Sequence, residues 1–140
     1  IMFNAATSKG RAGRTAALYQ QVGIETQIST ASPHALTMIL FDRLIGAVRQ
    51  ARLAIDAGQG EDKGRHIGMA VRIIDEGLRS SLNMQDGGEI ALNLRDLYDY
   101  AQIRLLKANL HHDGAALDEV IDLITPVRDA WSAIGDSVPA

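Results

Sequence analysis

The chain has 140 residues, which suits one domain with a core large enough to need no covalent staples. It has no cysteine, so disulfides and thiolate metal sites are excluded. A net charge of -3 excludes a global basic footprint for nucleic acid, and 46% hydrophobic content with 4% aromatics and three prolines suits helices better than a β-sandwich. No secretory apolar segment and no long apolar run occurs, so a soluble, cytosolic protein without membrane insertion is expected.

Residues 1–17 are rich in Gly, Ser and Ala without a sustained period, and carry Lys9, Arg11 and Arg14. A flexible N-terminal arm is expected there. The helical domain is expected over residues 18–135. Its first part, residues 18–29, holds Leu18, Tyr19, Val22, Ile24 and Ile28 but is too short and irregular for a long helix. It reads as an extended strap or a short helix against a bundle face. Residues 136–140 are expected to fray.

Ser32-Pro33 is a helix start: an N-cap serine followed by proline at the first helical position. The first long helix is expected from Pro33 to Ala57, ending at Gly58-Gln59-Gly60. Leu36, Leu40, Leu44, Val48, Ala51 and Ile55 fall on its core arc. Met38, Phe41 and Ile45 fall outside it. They either widen the core, lie beneath the strap, or form a partner surface.

A second helix is expected from Asp62 to Leu82, with Ile67, Val71, Ile74, Leu78 and Leu82 as its seam. Gly46, Gly68 and Gly77 lie inside helices, at about 1 kcal/mol each relative to Ala. Close helix approach or local softness would explain them.

The third helix follows Gly87-Gly88 and runs to about Asn109. Ile90, Ala91, Leu94, Leu97, Tyr98, Ala101, Leu105 and Ala108 share one arc of roughly 120°. Leu92, Ile103, Leu106 and Leu110 form a second apolar stripe nearly opposite, where a surface helix should be polar. A helix apolar on two sides is held between two things, one of which can be a partner. The fourth helix starts after Gly114 and reaches about Trp131, with Pro126 expected to kink it near Asp122. Four amphipathic helices with short connections predict an all-α, antiparallel four-helix bundle.

Catalytic and metal signatures are missing from the sequence. None of His34, His66, His111 and His112 has a Glu three residues before it, as a di-iron bundle requires. The Gly-rich pieces lack the Lys-Ser/Thr ending of a phosphate loop, and no Ser stands in a Gly-x-Ser-x-Gly elbow. A binding module without cofactor or metal is favoured over an enzyme.

Four stretches carry a family resemblance. They are Tyr19-Gln20-Gln21-Val22, then TASPHALTMILFD from Thr30 to Asp42, then GLRSSLN from Gly77 to Asn83, and then GGEIALNLRDLYDYAQIRLLKAN from Gly87 to Asn109. The last is followed by Asp113, Leu117-Asp118-Glu119-Val120 and Asp129-Ala130-Trp131. Over residues 17–131 the chain resembles the flagellar export chaperone family FliS, the flagellin-specific secretion chaperones. Arg43 stands where the family usually has Gly, Ile39 where it usually has Met, and Pro126 is not typical.

The resemblance implies a cytosolic chaperone. It would bind the disordered C-terminal segment of flagellin, prevent premature polymerisation and aid type III export through the flagellar export gate. A strap around Tyr19 would cover part of the flagellin site in the free protein. Tyr19, Met38, Phe41, Ile45, Leu92, Ile103, Leu106 and Leu110 are the candidate partner-binding residues. The alternative is a structural or regulatory module that self-associates, as a homodimer for instance, through the same stripes.

Overall fold

Ser32 opens the first helix as its residue type requires. Its side chain accepts a 3.1 Å hydrogen bond from the Ala35 amide, and Pro33 takes a first-turn position that has no amide to satisfy. The computed structural model describes residues 17–18 and 32–135. Helix α1 spans Pro33–Asp56. Helix α2 spans Gly60–Arg72 and passes into a π-helical segment, Ile73–Arg79. Helix α3 spans Gly88–His111 and helix α4 spans Gly114–Ile134. Among the described residues there is no strand. The expected arm and tail, and all of the expected strap except Leu18, lie outside the described residues.

Consecutive helices are antiparallel neighbours, and α4 returns to pack on α1. Each helix therefore touches chiefly two others, and the four enclose one core. Leu40, Leu44 and Val48 of α1 meet Ile67, Ile73 and Ile74 of the second helical stretch, Leu105 of α3, and Leu117, Val120 and Ile124 of α4. Burying each such side chain is worth roughly 1.5–3 kcal/mol. The inward side of α3 is small, with Ala91, Ala101 and Ala108 beside Tyr98 and Leu105. Burial among these neighbours pushes the Tyr98 hydroxyl pKa up to about 12.

The second helical stretch departs from the expected pattern. It ends at Arg79 rather than Leu82, and its last seven residues are π-helical. The wider i to i+5 turn brings adjacent residues to the core, so Ile73 and Ile74 are both buried, as are Gly77 and Leu78. Val71 and Leu82, expected in the seam, are only half-buried. Ser80 and Ser81 donate hydroxyl hydrogen bonds to the carbonyls of Glu76 and Gly77, at 2.5 and 2.6 Å, and so occupy carbonyls at the helix end.

Gly77 is explained by close approach. A Cβ there would lie 2.9 Å from Leu40 Cδ1 and 3.2 Å from Leu18 Cδ2. Gly46 and Gly68 have no such reason, since a Cβ at either would meet nothing within 4 Å.

Asp113 caps α4 by accepting from the Ala116 amide at 3.2 Å. The helix runs unbroken through Pro126. Pro126 and Asp122 are both exposed, so the Asp122 carbonyl that loses its amide partner is open to water. One residue earlier, the Thr125 hydroxyl donates to Ile121 O at 2.7 Å.

Ile90 was expected in the core and is 73% exposed. It shares its phase with the buried Ala108 but stands in the first turn of α3, at the end of the bundle, where no neighbour among the described residues covers it.

Candidate functional site

The outward face of α3 is the candidate interaction surface. Ile103, Leu106 and Leu110 are 63%, 55% and 75% exposed, and Leu92 stands on the same side near the helix start. The spacing of Ile103, Leu106 and Leu110 puts them on one ridge. The neighbouring residue Leu105 is fully buried, which fixes the rotation of the helix. The ridge is therefore the back of a helix whose front is core.

The expected companion stripe on α1 does not form a surface. Phe41 and Ile45 are only 2% and 7% exposed and belong to the core cluster, and Met38 is half-buried. Helix α1 packs on both α2 and α4, and Leu18, the first residue of the expected strap, lies in the same core cluster. A helix flanked on two sides buries a wider arc than one apolar stripe. Of the eight candidate residues, the structure brings Leu92, Ile103, Leu106 and Leu110 together in the open and places Phe41 and Ile45 inside. Tyr19 lies outside the described residues.

Ion pairs flank the ridge. Arg79, the last residue of the π segment, donates from Nε to Asp99 Oδ1 at 2.6 Å and from a terminal nitrogen to Oδ2 at 3.4 Å. These hydrogen bonds hold the Asp99 carboxyl below the usual carboxylate range and the Arg79 guanidinium above its ordinary value. On the α4 side, Tyr100 donates its hydroxyl to Glu119 Oε2 at 2.7 Å. Arg104 Nε stands 2.5 Å from Glu119 Oε1, an ion pair whose N–H is not aimed as a hydrogen bond. The Tyr100 hydrogen bond, with Arg104 behind it, lowers the Glu119 pKa.

Lys63, which the sequence reading passed over, anchors the far end of α3. It is 4% exposed, and its ammonium donates to Asn109 O at 2.8 Å and to His112 Nδ1 at 2.9 Å. An ammonium has no acceptor, so His112 Nδ1 accepts and the ring proton sits on Nε2. Lys63 also places positive charge at the negative end of the α3 dipole. The signal was its phase: Lys63, Ile67, Ala70 and Ile74 all turn inward on the same helix face.

No group of three metal-ligating side chains occurs among the described residues. No helix among them is long and apolar enough to cross a membrane.

Residues 15–138 match the family model described as flagellar protein FliS. Among curated proteins, the chain is 44% identical over 116 residues to the flagellar secretion chaperone FliS of Salmonella typhimurium, covering 83% of this chain and 86% of that protein. It is 44% identical over 116 residues to the flagellar secretion chaperone FliSB of Pseudomonas aeruginosa, covering 83% and 91%. It is 34% identical over 113 residues to the FliS of Bacillus subtilis, covering 81% and 80%. These are chaperones, not enzymes. The chain belongs to the FliS family of flagellar secretion chaperones.

Proposed function

We propose that the protein is a cytoplasmic chaperone that captures the disordered C-terminal segment of flagellin, keeps it from polymerising, and presents it to the type III flagellar export gate. The observation that supports this reading is the exposed ridge Ile103, Leu106 and Leu110 on a helix whose other face is core. A disordered segment that folds into amphipathic turns on such a ridge covers it with its own apolar face. The ordering cost falls on the segment, while the bundle supplies a prefolded platform.

The test is calorimetric titration of a flagellin C-terminal segment into the full chain, with circular dichroism of the mixture. Saturable binding with a gain of helix beyond the sum of the parts is expected. No heat and no added helix at any ratio would overturn the reading.

A further inference from the structure

Six residues of α3 share its outward face: Leu92, Asp96, Asp99, Ile103, Leu106 and Leu110. Their spacing alternates between four and three residues. At about 100° per residue they fall within an arc of roughly 80°. A four-three repeat is the heptad pattern by which one helix seats along another. Helix α3 therefore carries two packing faces, one filled by its own bundle and one turned to solvent.

The outer seam is not uniformly apolar. Its second and third positions are carboxylates. Asp99 is matched from within the protein by Arg79. Among the described residues Asp96 pairs with its chain neighbour Arg95 alone, at 3.2 Å, and 70% of its side chain stays exposed. A polar group at a seam position fixes register and partner at some cost in stability.

We propose that Asp96 is the register lock of this seam: the occupant is a single amphipathic helix of the flagellin segment, with apolar residues on Leu92, Ile103, Leu106 and Leu110 and a Lys or Arg opposite Asp96. The inference rests on the reading of the ridge as the flagellin-binding surface and adds the chemistry and register of what lands there.

The same carboxylates disfavour a second copy of this chain. In a parallel pair Asp96 would face Asp96. In an antiparallel pair centred on the seam, Asp96 would face Leu106 and Asp99 would face Ile103, setting carboxylates against hydrocarbon. A basic amphipathic helix meets neither obstacle. The seam selects by repulsion as well as by contact.

The experiment titrates the flagellin C-terminal segment into the full chain and into Asp96→Lys, Asp96→Leu and Leu106→Ala, each checked for native helix content. Asp96→Lys should weaken binding about tenfold at low salt, with the loss shrinking as salt screens the charge. A segment with one seam-facing Lys or Arg changed to Glu should recover most of that loss against Asp96→Lys. Asp96→Leu should self-associate in sedimentation. Leu106→Ala separates the two ideas. If it weakens binding while Asp96→Lys leaves affinity unchanged, the register lock is overturned and the docking surface stands. If neither changes affinity, both are overturned. A loss in Asp96→Lys that no charge reversal in the segment restores overturns the basic partner residue. A monomeric Asp96→Leu overturns Asp96 as the residue that keeps a second copy off the seam.

Discussion

His34 and Trp131 hold each other reciprocally across the α1–α4 contact. His34 Nε2 donates to Trp131 O at 2.8 Å, and Trp131 Nε1 donates to His34 O at 3.2 Å. A carbonyl can only accept, so the His34 proton on Nε2 is fixed by this contact. The two rings stack at 5.1 Å and 16°. The start of the first helix is thereby tied to the last turns of the fourth.

Trp131 is the only tryptophan, so this clasp can be followed by its fluorescence. His34→Ala removes the stack and the hydrogen bond to Trp131 O and leaves Trp131 Nε1 bonded to the backbone. Stability should fall by about 1–2 kcal/mol. The urea midpoint, read by Trp131 emission, checks this. An unchanged midpoint would show that the clasp contributes nothing to stability.

Leu105 and Leu106 form a matched pair, one fully buried and one 55% exposed. Leu105→Ala should cost about 2–5 kcal/mol. Leu106→Ala should change stability by less than about 0.5 kcal/mol. Under the proposed function it should cost flagellin-segment binding more than about 1 kcal/mol. Denaturant titration and calorimetry on both variants measure the contrast.

Gly77 and Gly68 give opposite expectations for the same substitution. Gly77→Ala forces the ends of Leu40 and Leu18 to move, since its Cβ would lie 2.9 and 3.2 Å from them. Overpacking of this kind costs about 1–3 kcal/mol, which exceeds the gain in helix propensity. Gly68→Ala meets nothing within 4 Å and should stabilise by up to about 1 kcal/mol. Thermal unfolding should move down for the first and up for the second.

Asp99 sets an acid dependence. Hydrogen bonds from Arg79 lower its folded pKa below the unfolded value. The stabilisation is thus present above the unfolded carboxylate pKa and is lost as pH falls through the folded one. Because both side chains are partly exposed, the effect should be under about 1 kcal/mol and should shrink in salt. Asp99→Asn should flatten the acid limb of stability against pH relative to the parent. An identical limb would place the acid sensitivity elsewhere.

Much of this architecture was legible because it rests on local chemistry. Ser32-Pro33 announces a helix start through the serine side chain and the proline ring, and a 3.6-residue period separates Leu105 from Leu106. What stayed hidden depends on neighbours that the period cannot see. Phe41 and Ile45 stayed open between a wider core, a place beneath the strap and a partner surface, because the period marks phase and not which neighbours flank a helix, and α1 is flanked by two. Ile90 has the phase of a core residue but stands where the bundle ends. The π segment shifts which residues face inward after Arg72, and no single residue type announces it. Lys63 was passed over because charge alone suggested solvent, although its phase pointed inward.

That buried lysine has a consequence for how the helix it grips behaves. Terminal turns of helices ordinarily fray, because their last carbonyls have only water to bond. In α3 one of those carbonyls, at Asn109, is held by a cation from α2, and the chain turns at His112 with φ 52° to bring its ring to the same nitrogen. Leu110 stands within that final turn. The turn should therefore resist amide exchange more like a mid-helix segment than like a loose end.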